Sequence, residues 1–269
     1  MEGEILMGIN EELNKKGDLN ISGSSSSDGG EYRNVKISGS AKINGDIRCV
    51  NFHSSGSGKL NGNINAESIS ASGSTRIQGD LSCEDLEGSG SFKVEGNIES
   101  ENIKVSGSFT VKGKTLAEKI KTSGSGTFND SVKTQKIHTS GSLKINGNCD
   151  AELFESCGGF KIHGLLNAET ADINVQGKCE VDEIGGNKIN VYSRKGVTGI
   201  FDFISVFSDK TLYCKVIEGD DIELSNVTCD LVRGRNIIIN ENCKIKRVEY
   251  DGEFQNKCNC EIKEVVKND

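Results

Sequence analysis

Ten cysteines, three histidines and forty acidic residues are the side chains of this 269-residue chain best suited to chemistry, and their spacing decides what they can do. The cysteines form no CxxC pair; the closest two are Cys258 and Cys260, a CxC near the C-terminus. Zinc ordinarily takes four ligands, with paired cysteines set wider than this, so the motif predicts no metal centre. A disulfide framework belongs to short chains with paired spacings, and neither feature is present. His53 and His138 fall in one column of the repeat described below and His163 in another, so the imidazoles do not converge. No P-loop, HExxH or nucleophile elbow occurs. Neither catalysis nor a cofactor is expected, and attention passes to the elements that carry these side chains.

Those elements repeat. Gly39, Gly56, Gly73, Gly90, Gly107, Gly124, Gly141 and Gly158 follow one another at intervals of 17, and serine precedes all but the last, which follows Cys157. A second glycine stands six residues later at 45, 62, 79, 96, 113, 147 and 164, with Asp130 interrupting that column. Apolar residues recur four, eight and thirteen positions after the first glycine, as in Ile43, Ile47 and Phe52, and a small residue such as Cys49 or Ala66 recurs at ten. These positions are spaced by two, the strand period, with one slip of parity per unit. Three short strands joined by tight corners follow. Equivalent residues must stack, because one such unit cannot bury its inner face alone. The predicted fold is therefore all-β, a parallel β-helix of 17-residue triangular rungs stacked about 4.8 Å apart. Both glycine columns are expected at corners where no side chain fits inside. Cys49, Cys83 and Cys149 fall in inward columns and read as reduced, small hydrophobes.

Three regions are expected. Residues 32–168 form the regular helix. Residues 169–269 form a less regular continuation and C-terminal cap, where "GNKINV", "GDDIEL" and "GRNIII" echo the repeat. Residues 1–31 form a tail or cap, with "GDLNISGS" as a half-rung and "SSSSDGGEY" as a flexible insertion. The most apolar stretch is "VTGIFDFISVF"; its Phe201, Phe203, Ile204 and Phe207 are expected either at an end contact or packed within the irregular region.

Outward columns stack as well. Lys42, Lys59, Arg76, Lys93, Lys144 and Lys161 share one column; Glu67, Glu84, Glu101, Glu118, Glu152 and Glu169 share another. They read as a solvated surface that discourages aggregation, or as lateral contacts in which the basic edge of one molecule meets the acidic edge of another, a salt-sensitive arrangement. Serine ladders flank the first glycine column, where hydroxyls commonly satisfy turn backbone. Regular rungs leave no long loops to wall a catalytic cleft. Net charge is −8 and the pI near 5.1, which argues against nonspecific nucleic-acid binding. No apolar run approaches a membrane span, and the first residues lack a signal-peptide pattern, so a cytoplasmic location is expected.

The units "ISGSAKINGDI", "SGSGKLNGNI" and "ASGSTRIQGDL" resemble the bactofilins, bacterial polymer-forming cytoskeletal proteins. The shared signature, an apolar residue, a polar residue, glycine, a polar residue and an apolar residue, covers residues 32–168. The resemblance implies a right-handed triangular β-helix that polymerises end to end without nucleotide, often at the membrane, and scaffolds cell-envelope or morphogenetic proteins. This chain departs from that pattern in being longer and proline-free, and Glu2 and Glu4 beside Ile5, Leu6 and Met7 make its N-terminus a poor membrane anchor. Two functions follow as alternatives: a self-assembling filament or scaffold, or a capped monomeric or dimeric β-helix that binds a partner through its charged side faces.

Overall fold

The computed structural model describes residues 12–193 and 210–268. The chain is an all-β parallel solenoid and divides into two compact units, residues 1–130 and 131–269. Phe201, Phe203, Ile204 and Phe207 lie outside the described residues.

In the first unit, β1 (Leu19–Ile21), β2 (Ser24–Ile37) and β3 (Ser40–Ser54) open the stack. Four repeats follow, each a short strand and a longer one: β4 (Ser57–Leu60) with β5 (Ile64–Ala71), β6 (Ser74–Ile77) with β7 (Leu81–Gly88), β8 (Ser91–Val94) with β9 (Ile98–Val105), and β10 (Ser108–Val111) with β11 (Thr115–Thr122). β12 (Ser125–Phe128) completes the unit. Partners in the repeating part stand 17 residues apart, as in Lys59↔Arg76 and Leu81↔Ile98. The longer strand bends once. Cys83 pairs with Ser100 and Asp85 with Asn102, while Glu84 and Glu101 between them take no part in the ladder. That bend is the third corner of the triangle, and it accounts for the parity slip in the sequence.

The reading of "SSSSDGGEY" as a flexible insertion is corrected. Ser24 to Asp28 belong to β2 and pair in register with Ser40 to Asn44. Backbone hydrogen bonds to the neighbouring rung need no particular side chain, so a serine run with poor intrinsic preference becomes a strand when an edge is available. The register shifts from 16 to 17 between Asp28 and Gly30, where Gly45 (φ 107°) accommodates the extra residue. β1 is the expected half-rung, with Leu19↔Val35 and Ile21↔Ile37.

The second unit begins with β13 (Val132–Thr139), β14 (Ser142–Ile145) and β15 (Cys149–Ser156) at the 17-residue spacing, for example Ile137↔Phe154. β16 (Gly159–Asn174) and β17 (Cys179–Tyr192) are longer, and their partners are 18 or 19 apart, as in Leu166↔Ile184 and Phe160↔Cys179. β18 (Leu212–Leu224) and β19 (Val227–Ile239) pair at 15, Gly219↔Gly234 and Ile222↔Ile237 among them. The echoes at 186–191, 219–224 and 234–239 are therefore true rungs in register. β20 (Lys244–Tyr250) and β21 (Phe254–Asn256) form one further turn on β19, and β22 (Glu261–Lys267) lies on β20 as the last rung among the described residues.

Six inward columns fill each regular rung of the first unit. Four are those expected. A fifth contains Ala41, Gly58, Thr75, Phe92 and Phe109, and a sixth contains Ser54, Ala71, Val105 and Thr122. Phe92 and Phe109 stack with centroids 5.8 Å apart, and Phe109 meets Phe128 edge-on at 5.8 Å. Gly126 is the register partner of Phe109, and Phe128 that of Val111.

Candidate functional site

The structure assigns the first glycine column a reason other than the one expected. A Cβ on Gly56, Gly73, Gly90, Gly107 or Gly124 would overlap the carbonyl oxygen of the glycine one rung before it, and on Gly39 that of Gly23. In the second unit a Cβ on Gly158 would meet the Gly141 carbonyl. The obstacle is thus the neighbouring rung, not the interior. Each rung is seated on the backbone of the one below, with Ser57 N–H donating to Gly39 O at 2.9 Å and Ser74 N–H to Gly56 O at 2.9 Å.

The second glycine corner holds a device that sequence reasoning missed. The residue after the glycine carries a side-chain acceptor that receives the backbone N–H of the next rung: Asn63 N–H to Asp46 Oδ1 at 2.7 Å, Asp80 N–H to Asn63 Oδ1 at 2.8 Å, Asn97 N–H to Asp80 Oδ1 at 2.7 Å. Leu165 N–H does the same to Asn148 Oδ1 at 3.1 Å in the second unit. The signal was present as Asp or Asn in "NGDI", "NGNI" and "QGDL". It reads as generic turn polarity until the rungs are stacked.

The charged columns are in register and point outward. Lys42↔Lys59, Lys59↔Arg76 and Arg76↔Lys93 align on successive strands. Among the described residues Lys42, Lys59 and Arg76 form no ion pair, whereas Lys93 binds Glu95 at 2.8 Å. Glu95 is also bound by Lys112 at 2.6 Å, and hydrogen bonds from Lys112 and then Lys93 hold its carboxyl down at about 2. In the second unit Lys144 aligns with Lys161, which binds Glu180 at 2.7 Å.

Glu67, Glu84, Glu101 and Glu118 run down the third corner of the first unit, each outside the backbone ladder. Glu152 and Glu169 hold the same place in the second and are exposed. The Glu84 carboxyl is raised above its usual range, first by desolvation and then by repulsion from Glu67, Glu101 and Asp85. Elsewhere opposite charges meet across rungs, as in Lys104–Glu87 at 3.0 Å, Lys215–Asp182 at 2.7 Å and Arg247–Glu264 at 3.1 Å. The two ladders break that habit by stacking like on like.

The terminal rung is the other distinctive surface. Ile262 and Val265 of β22 continue the inward columns of Ile245 and Val248. Val248 is fully buried, yet Val265 is 45% exposed, because no rung covers β22 among the described residues. The described residues contain no group of three His, Cys, Asp or Glu able to hold a metal.

Rungs with like-charged ladders on their sides and, among the described residues, an uncovered apolar last strand define a protein of surfaces and edges rather than of a cleft. Residues 7–91 match the model of the family described as "Bactofilin: Polymer-forming cytoskeletal", so the resemblance carried by the repeats is shown over that stretch. Two proteins of Bacillus subtilis (strain 168) are similar. Uncharacterized protein YhbE is 36% identical over 78 residues, 29% of this chain and 32% of the relative. Uncharacterized protein YhbF is 37% identical over 89 residues, 32% of each. The similarity thus spans about a third of the length of either relative. No solved structure matches.

Proposed function

We propose that this protein is a structural, self-associating β-helix that assembles end to end into nucleotide-independent filaments or scaffolds. The carrying observation is the terminal turn. Among the described residues β22 has a strand edge with no partner beyond it, together with an apolar side chain, Val265, that one further rung would bury. A second copy supplies such a rung. The family matched by residues 7–91 is described as polymer-forming and cytoskeletal, which supports the reading. The 17-residue rungs within each unit serve as the repeating body, and β22 supplies the contact. The location is cytoplasmic, and cell-envelope or morphogenetic proteins are the partners such a scaffold would recruit.

The charged ladders supply lateral contacts within this reading. Lys42, Lys59 and Arg76 on one molecule match, at the same rung pitch, Glu67, Glu84 and Glu101 on another. The same ladders favour the alternative in which the protein is a capped adaptor displaying them to a different partner.

Negative-stain electron microscopy over a concentration series tests the assembly. Particles that lengthen with concentration, and that shorten when Val265→Glu places a charge in the end face, are the expected result. Short particles of one length at every concentration would overturn the filament reading in favour of the adaptor.

A further inference from the structure

The last turn contains a second feature, independent of whether it makes an end contact. Lys244 pairs with Glu261, so the residues just before them, Cys243 and Cys260, face one another on adjacent rungs. The backbone N–H of Cys243 donates to Cys260 Sγ at 3.4 Å. The Cys260 thiol donates to Asn240 O at 2.6 Å, and the Cys243 thiol to Leu224 O at 3.5 Å. Cys260 is fixed from its own turn as well: its N–H donates to Asn256 Oδ1 at 3.0 Å, and Asn256 Nδ2 donates to its carbonyl at 3.2 Å. Adjacent rungs lie about 4.8 Å apart, inside the roughly 4.4–6.8 Å Cα window of a disulfide.

Access distinguishes this pair from the other cysteine pair of the unit. Cys214 and Cys229 are also register partners, but both are buried. Cys243 is 3% exposed, whereas Cys260 sits half-buried in the last rung, where a reagent can reach it.

We propose that Cys243 and Cys260 are an oxidisable pair whose disulfide staples the terminal rung to the one before it. The oxidant is a low-molecular-weight disulfide. The Cys260 thiolate attacks it, forming a mixed disulfide and releasing one small thiolate. Cys243 then loses its proton to that thiolate and attacks the Cys260 sulfur, expelling the second small thiolate, which takes from solvent the proton that Cys260 gave up. Two protein thiols lose two electrons, and one small disulfide becomes two thiols. Burial pushes the Cys243 thiol up to about 12, so closure is the slow step and accelerates as pH rises.

The full chain is incubated with glutathione disulfide and read by intact mass, by peptide mapping without reduction, and by hydrogen exchange. A mass loss of two hydrogen atoms, a Cys243–Cys260 cross-linked peptide, and exchange of 261–267 slowed about tenfold or more are expected. Cys258→Ala should leave the cross-link intact, and Cys260→Ser, which keeps a hydroxyl to donate to Asn240 O, should abolish it. Linkage of Cys260 to Cys258, glutathione retained on Cys260 with Cys243 free, or a cross-link without slowed exchange would each overturn the proposal.

Discussion

At Gly90 a hydrogen stands where any other residue would carry a carbon, and that carbon would overlap the carbonyl of Gly73. Gly90→Ala must push two rungs apart or bend one, and the overpacking should cost about 1–3 kcal/mol. Ser91→Ala, one residue on and exposed, should stay within about 0.5 kcal/mol. Urea denaturation midpoints of the two variants check the contrast. Two glutamates of the first unit should respond to pH in opposite directions. Glu95 has a folded value lowered to about 2, so its contribution is present above the ordinary value of 4.5 and is lost as pH falls through about 2. Glu84 has a folded value raised by desolvation and by its acidic neighbours, so its ionisation opposes folding. That penalty is absent below the unfolded value and grows as pH rises through the folded one. Melting scans from pH 2 to pH 7 should show Glu95→Gln less stable than the wild type at neutral pH and Glu84→Gln equal or more stable. At this scale the glycine columns and the stacked charges were legible because each is one residue type at one interval. The Asx acceptors at the second corner were not, since what Asp46, Asn63 and Asp80 share is an oxygen placed toward the next rung rather than a single residue type.

Among the elements, the strands of the regular rungs could be read from parity alone, and the bend at Glu84 accounts for the one slip. The column of Ala41, Gly58, Thr75, Phe92, Phe109 and Gly126 was invisible for a physical reason. Its members range from glycine to phenylalanine, so no single residue type or size marks it as inward. Phe109 touches both Phe92 and Phe128, and Phe109→Ala should cost about 3–5 kcal/mol. Restoring volume next to it with Gly126→Ala should recover only part of that loss, because a methyl group cannot replace a ring; denaturation midpoints of the single and double variants report the coupling. β2 escaped prediction because Ser24–Asp28 carry no periodic apolar pattern, and only their pairing with Ser40–Asn44 makes them a strand.

For the molecule as a whole, the surface ladders govern how copies meet. The double variant Lys59→Glu, Arg76→Glu should abolish lateral bundling while leaving particle length unchanged, and sodium chloride should loosen wild-type bundles over the range in which the Debye length falls from about 10 to 3 Å. Bundling should return when that variant is mixed with a partner whose Glu84 and Glu101 are changed to lysine. Electron microscopy separates the two readouts, width for the ladders and length for the ends. One further consequence lies in the seating of each rung on the glycine below it. Because equivalent residues of the first unit meet 17 apart, a segment such as 74–90 begins and ends at the same point of the circuit. Removing it joins Gly73 to Ser91 and returns every inward column to register, whereas removing Ser91 alone turns the strand that follows inside out. The chain therefore behaves as a ruler whose smallest division is one rung. It can be lengthened or shortened by whole turns through duplication or loss of 51 nucleotides, and single-codon changes inside a strand are the ones it cannot absorb.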